Sequence, residues 1–246
     1  MHEPRYASYP SLAGRHALVT GGASGIGAEI VAELHRQGAR VSVFDLLPGV
    51  SGERLHFTQL DLTDAEALAA AIAERIADWG PIRALVNNAA SDERHALGAI
   101  TPERWDAIQA VNLRHHLFAT QAVRPAMAEA GGGAVVSLSS TSWILKVGGM
   151  PGYLAAKAGI LGLVRGLARE LGSQGIRVNA VSPGWVLTPR QREKWVQPGD
   201  EDMLRTTQCI PELLDPGDVA RLVAFLLADD SRMITGQNHI VDGGQA

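Results

Sequence analysis

The chain carries a single cysteine, Cys209, so it can form no intrachain disulfide and no cysteine-rich metal cluster. Aromatic residues make up only 5% of its 246 positions, and its net charge is −4. That balance gives no electrostatic reason to expect nucleic acid as a partner. The one short basic run, RQREK at 190–194, includes a glutamate and reads as a solvated lid segment. No apolar run approaches the roughly 20 residues needed to cross a bilayer. The opening MHEPRYASYPSL lacks the apolar core of a secretion signal. No membrane association is expected, and the cytoplasm is the expected compartment. No His-Glu-x-x-His spacing occurs. The neighbours His115 and His116 would point about 100° apart on a helix, so no metal site is expected.

Glycine is plentiful, with 27 residues gathered at the ends of apolar runs. Short β-branched runs alternate with longer amphipathic stretches along the whole chain. Strands are expected at 16–21, 40–45, 55–61, 82–88, 133–139, 176–182 and 239–243. Helices are expected at 26–37, 64–79, 102–130, 152–171 and 216–228. The strands are almost wholly apolar, as in a parallel sheet buried on both faces. The alternation predicts a doubly wound α/β fold, a Rossmann-type seven-stranded parallel sheet with helices on both faces. No linker or repeat divides it, so residues 1–246 read as a single domain. Only LLPGVSGER separates the second and third strands, too short for a crossover helix, since such crossovers need about ten or more residues.

The first strand runs into TGGASGIG at 20–27 and then straight into a helix. Glycines at 21, 25 and 27 permit a tight turn and let backbone N–H groups approach a pyrophosphate at the helix N-terminus. Asp45 closes the second strand. In a dinucleotide fold an acid there accepts hydrogen bonds from a ribose 2′-OH and repels a 2′-phosphate. No arginine or lysine stands beside the glycine turn, so NAD is expected over NADP.

TGGASGIG, NNAA at 87–90, Asn112 in AVNLRHH, Ser140, YLAAK at 153–157 and SPGWVLT at 182–188 follow one another in order. Together they resemble the short-chain dehydrogenase/reductase family over essentially the whole chain. One departure is Ala90, where the family's motif usually ends in glycine. The resemblance assigns cofactor contacts to Gly21, Ser24, Gly25, Ile26, Gly27, Asp45, Asp61, Leu62, Asn87, Tyr153, Lys157, Val186 and Thr188. Within that set, Asp61 would meet the adenine end, unless it serves only as a helix-start signal beside Thr63 or Asp64. Asn87 would stabilise the central strand and line the ribose. The segment 183–186 and the Thr188 hydroxyl would face the nicotinamide amide. Homotetramers or homodimers built around the catalytic helix and the C-terminal region are also implied.

The resemblance makes Asn112, Ser140, Tyr153 and Lys157 the catalytic set. A free tyrosine has a pKa near 10, so only about one in a thousand is ionised at neutral pH. Lys157 shares its helical face at i+4. Its ammonium, with the positive charge of oxidised nicotinamide, is expected to lower the phenol's pKa by an amount worth roughly 4 kcal/mol. Tyr153 would then act as general base in alcohol oxidation and general acid in the reverse direction. Ser140 would hold the substrate oxygen, and by resemblance Asn112 would anchor a water on a proton path.

Substrate contacts should come from loops beyond the carboxyl ends of the strands, here 91–98, 141–152 and 185–203, with a lid at about 185–210. These loops carry tryptophans beside hydrogen-bonding groups, which suits a small polyhydroxylated ligand. NNAASDERHALG, VNLRHHLFATQAV, GGGAVVSLSSTSW and RQREKW resemble the family's sugar 1-dehydrogenase branch, which implies oxidation of an aldose's anomeric hydroxyl to an aldonolactone. The expected monosaccharide contacts are Asp92, His95, Ser140, Trp143, Tyr153, Trp185 and Gln191. A reductase of ketones or 3-oxoacyl groups, and a dinucleotide-sensing regulator without turnover, are the alternatives.

Overall fold

In the computed structural model, which describes residues 6–246, β1 (His16–Thr20) passes through the glycine turn into α1 (Gly25–Arg36). Then come β2 (Arg40–Asp45), β3 (Leu55–Gln59), α2 (Ala65–Trp79) and β4 (Ala84–Asn87). Helices α3 (Pro102–Gln109) and α4 (His115–Glu129) lead to β5 (Gly133–Leu138), α5 (Pro151–Leu171) and β6 (Ile176–Pro183). Two short helices, α6 (Pro189–Lys194) and α7 (Asp200–Thr207), precede α8 (Pro216–Leu227) and β7 (Asn238–Val241).

The seven strands form one sheet in the order β3-β2-β1-β4-β5-β6-β7, every pairing parallel. Successive strand residues point to opposite faces, and both faces are covered. Val19, Val43, Val86 and Val136 pack with Ile30 of α1 and Val223 of α8 on one side. Leu18, Leu85, Val135 and Val178 pack with Ile72 of α2, Val123 of α4 and Ile160 of α5 on the other. This is why the strands read as continuous apolar runs rather than alternating ones.

The strand order reverses between β1 and β4, which leaves a crevice at their carboxyl ends. As expected, no helix joins β2 to β3; an isolated bridge pairs Gly52 with Leu55 instead. Asp64 caps α2 by accepting hydrogen bonds from the N–H groups of Glu66 and Ala67. Two expectations need correction. The helix expected over 102–130 is interrupted by a π turn at Ala110–Arg114, where Asn112 Nδ2 donates to Ile108 O at 2.9 Å. The segment at 190–194 belongs to a helix, α6, started by Thr188, whose side chain accepts from Gln191 N.

Leu85 is fully buried at the centre of β4, away from the crevice residues. Leu85→Ala should cost about 2–5 kcal/mol in denaturant unfolding, with the secondary-structure content of the folded state unchanged.

Candidate active site

The turn after β1 is shaped by contacts that tolerate only glycine. Gly21 has φ +68°, and a side-chain carbon added there would lie 2.6 Å from the Cα of Ala89. At Gly27 the same carbon would sit 1.9 Å from Gly21 O and 2.5 Å from Asn88 Nδ2. Asn88 donates from Nδ2 to Gly21 O (2.8 Å) and Thr20 O (3.1 Å), so β4 braces the turn of β1. Asp45 holds it from the other side: Oδ2 accepts from Ala23 N and Oδ1 from Leu47 N, both at 2.9 Å. Ser24 occupies the N-cap of α1 without a side-chain cap bond. The N-terminal N–H groups near Ile26 and Gly27 therefore have no side-chain cap, an arrangement suited to an anion. Thr188 closes the cleft from above, its Cγ2 lying 3.3 Å from where a side chain at Gly25 would begin. Val186, with its carbonyl bonded to Thr188 N at 2.9 Å, is buried just before it.

Tyr153 and Lys157 lie on the first turns of α5, with Lys157 Nζ 5.6 Å from the centre of the Tyr153 ring. Lys157 is buried, and its Nζ donates to Leu138 O at 2.7 Å; its carbonyl accepts from Ser139 Oγ at 2.7 Å. The end of β5 and the start of α5 are thereby fastened together. Ser140 follows, its Oγ accepting from Ser142 N at 3.1 Å, and its hydroxyl lies near enough to favour the Tyr153 phenolate. Burial pushes Tyr153 up to about 12, and the negative charge of Asp92 adds to the effect against the Ser140 bond and the charge of Arg94. Burial also pushes Lys157 down to about 7, against the pull of Asp92. At about 7 the lysine is partly charged near neutrality, and the expected lowering of the phenol's pKa invokes the positive charge of a bound nicotinamide as well.

Asn112 spends its side chain on backbone groups: Oδ1 accepts from Ser91 N (3.0 Å) and Nδ2 donates to Ile108 O. Next to it, His115 and His116 are buried with all four ring nitrogens unpartnered, and burial pushes His115 down to about 3.

Three loops meet at the mouth of the crevice. Trp185 Nε1 donates to Gln191 Oε1 (2.9 Å), and Gln191 Nε2 donates to Asp92 Oδ2 (2.6 Å). Arg190 donates to Asp92 Oδ1 at 3.2 Å. Asp92, Trp185 and Gln191 thus form one chain linking the loop after β4 to α6. Trp143 and Trp195 each keep a buried indole N–H without a partner.

A family model described as enoyl-(acyl carrier protein) reductase matches residues 21–246. A Rhizobium meliloti (strain 1021) chain named as a probable galactose dehydrogenase is 43% identical over 97% of both chains. A D-xylose 1-dehydrogenase of Caulobacter vibrioides is 44% identical over 97% of this chain and 98% of its own length. The chain belongs to the short-chain dehydrogenase/reductase family. The ligand-free aldohexose dehydrogenase of Thermoplasma acidophilum, 24% identical, superposes with a TM-score of 0.90 over 97% of this chain and 96% of that one, a likeness in fold.

The family implies a nicotinamide cofactor for this dehydrogenase. The glycine cradle, the uncapped start of α1 and the carboxylate at the end of β2 fit a dinucleotide. Two expected contacts, Asn87 and His95, are revised, and Asp61 keeps one carboxylate oxygen free. Asn87 is fully buried with its amide turned toward Ser137, His116 O and Thr120, each at 3.4 Å, so its side chain has no face toward a ribose. Its neighbour Asn88, overlooked in the sequence, is the amide that meets the glycine turn. Asp61 commits Oδ1 to Thr63 N and Oγ1 in a turn before α2, with Leu62 buried beside it, leaving Oδ2 for a ligand. His95 uses both ring nitrogens on backbone groups, Glu93 O and Gly152 N, and has neither to offer a sugar.

The depressed pKa of Lys157 has a consequence for stability. Above its ordinary value of 10.5 the lysine is neutral in both states. As pH falls toward 7 the unfolded chain takes up a proton that the folded dehydrogenase resists, so stability from this group is lost over that window. A Lys157→Met variant should therefore gain on the wild type as pH is lowered from 9.5 to 7, measured as the gap between urea midpoints. A gap independent of pH would contradict the assignment.

Proposed function

We propose that this dehydrogenase oxidises the anomeric hydroxyl of an aldose with NAD, giving an aldonolactone. The observation that carries the sugar reading is the Trp185–Gln191–Asp92 chain at the crevice mouth, with Arg190 on the same carboxylate. Hydroxyls of a small polyol can exchange into such a chain bond for bond, whereas an acyl tail cannot. The partnerless indole N–H groups of Trp143 and Trp195 in the flanking loops add donors in search of acceptors. The names of the two relatives at 43% and 44% identity agree with this reading.

NAD is preferred because Asp45 stands at the end of β2, followed by the exposed apolar pair Leu46 and Leu47 rather than by a cation. The dinucleotide would lie on Gly21, Ser24, Gly25, Ile26 and Gly27, with Asp45 toward the adenine ribose, Asp61 and Leu62 toward the adenine, and Val186 and Thr188 toward the nicotinamide. Bound NAD would supply the hydride acceptor and a positive charge close to the phenol. Tyr153 Oη takes the proton of the C1 hydroxyl, and Ser140 holds the same oxygen by a hydrogen bond. Lys157, fixed on Leu138 O, holds the proton that the phenolate needs nearby. Asn112, which by resemblance would anchor a water on a proton path, sits in the π turn with its side chain on Ser91 N and Ile108 O. The stretch at about 185–210, with α6 and α7, is the lid of this single domain. The β7 edge, with Ile240 half-exposed, would suit assembly into a homodimer or homotetramer, and the cytoplasm is the compartment proposed.

A panel of aldoses and secondary alcohols with NAD or NADP tests the reading. One or a few aldoses should reduce NAD, and Tyr153→Phe should lower kcat by about 10²–10⁴. Asp45→Ala should narrow the preference for NAD over NADP in kcat/KM. Turnover of ketones or 3-oxoacyl substrates with NADPH, and none of any aldose, would overturn it.

A further inference from the structure

The four residues Asp92, Glu93, Arg94 and His95 each fasten the loop after β4 to a different part of the site. Asp92 binds α6 through Gln191 and Arg190. Glu93 pairs with Arg104 of α3. Arg94 donates to Met150 Sδ at 3.1 Å and lies over the Trp195 ring, 5.2 Å from its centre. His95 reaches the start of α5, its own N–H donating to Gly149 O at 2.7 Å and its Nε2 accepting from Gly152 N at 3.1 Å.

The last contact falls one residue before Tyr153. The first turn of a helix has N–H groups without intrahelical partners, commonly met by a Ser, Thr, Asp or Asn at the N-cap. Here the N-cap is Met150, which makes no side-chain cap bond, and Pro151 has no N–H to offer. Gly152 N–H is therefore the first donor of α5 that needs a partner, and His95 supplies it from another loop. An amide can only donate, so Nε2 must carry the lone pair. The proton then resides on Nδ1 and goes to Glu93 O at 2.9 Å. The same glycine's carbonyl accepts from Gln109 Nε2 of α3 at 2.9 Å. Both polar groups of Gly152 are thus held from outside the helix. Space is tight as well: a side-chain carbon at 152 would lie 3.2 Å from Ile108 Cγ2 and 3.3 Å from His95 Nε2.

We infer that His95 is a positioning residue: it caps the catalytic helix in trans and fixes where the Tyr153 phenol stands, without touching substrate. The inference rests on Tyr153 as the proton-transferring group, not on which alcohol is oxidised. A misplacement of about 1 Å at a reacting group can cost on the order of 10²-fold in rate. Such a role acts on kcat and leaves ground-state binding alone.

The test compares His95→Ala with His95→Gln, whose Oε1 can stand where Nε2 stood, in two measurements on the full chain. In steady-state kinetics with the best aldose and NAD, His95→Ala should lose about tenfold or more in kcat. Both KM values should stay within about twofold, and His95→Gln should recover most of the rate. By hydrogen exchange, the Gly152 amide should exchange about fivefold faster or more in His95→Ala, the loss of a typical cap bond. Protection should return in His95→Gln. A raised KM for the sugar with kcat intact would make His95 a sugar contact and overturn the inference. Unchanged exchange at Gly152 would overturn it even if no aldose is a substrate, so failure of the sugar reading and failure of the cap are read separately.

Discussion

Burial moves the proton affinities of Tyr153 and Lys157 in opposite directions, one driven up to about 12 and the other down to about 7. Near neutral pH the phenol keeps its proton, while the lysine passes between its charged and neutral forms. A positive charge brought close to the phenol by a bound nicotinamide would favour the phenolate. Leu138 O holds the lysine from the end of β5, Ser139 ties the helix carbonyl to the same strand, and Asp92 opposes early ionisation of the phenol.

The fold makes this possible through the reversal of strand order between β1 and β4. That reversal opens a crevice whose floor is the glycine turn and whose walls are the carboxyl ends of β4, β5 and β6. Side chains from one wall repeatedly settle backbone groups on another: Asn88 on Gly21, Asp45 on Ala23, Asn112 on Ser91, His95 on Gly152. Buried or half-buried backbone groups must find partners somewhere. Here those partners lock the glycine turn, the π turn and the start of α5 to one another.

Much of this was legible in the sequence. The strands begin and end within two residues of the apolar runs that mark them, and in β1, β2, β4, β5 and β6 burial on both faces leaves no ambiguity in the pattern. The missing β2–β3 helix follows from chain length alone. The π turn was not legible, since apolar residues continue through 102–130 and the extra residue in one turn changes no residue type. Helix α6 escaped because RQREK carries no apolar face, and α7 because at eight residues it offers only two turns of pattern around the buried Leu204. Among the site residues, Asp92, Trp185 and Gln191 do converge, but as a chain bonded within itself. As a histidine in a polar loop His95 looks available for a ligand; only the orientation of Gly152 N–H shows that it is already engaged. Asn87 and Asn88 are adjacent and alike, and a strand's alternation decides which of them faces the crevice.

The central claim is that the proton affinity of Tyr153 is set by its surroundings and released by the positive nicotinamide. Tyrosine ionisation can be followed by ultraviolet difference absorbance, subtracting the Tyr153→Phe variant so that Tyr6 and Tyr9 cancel. Without cofactor, the Tyr153 signal should stay absent past the ordinary tyrosine range, in keeping with its raised value of about 12. With saturating NAD, its midpoint should move down by several pH units. A midpoint near 10 without NAD, unmoved when NAD is added, would contradict the account.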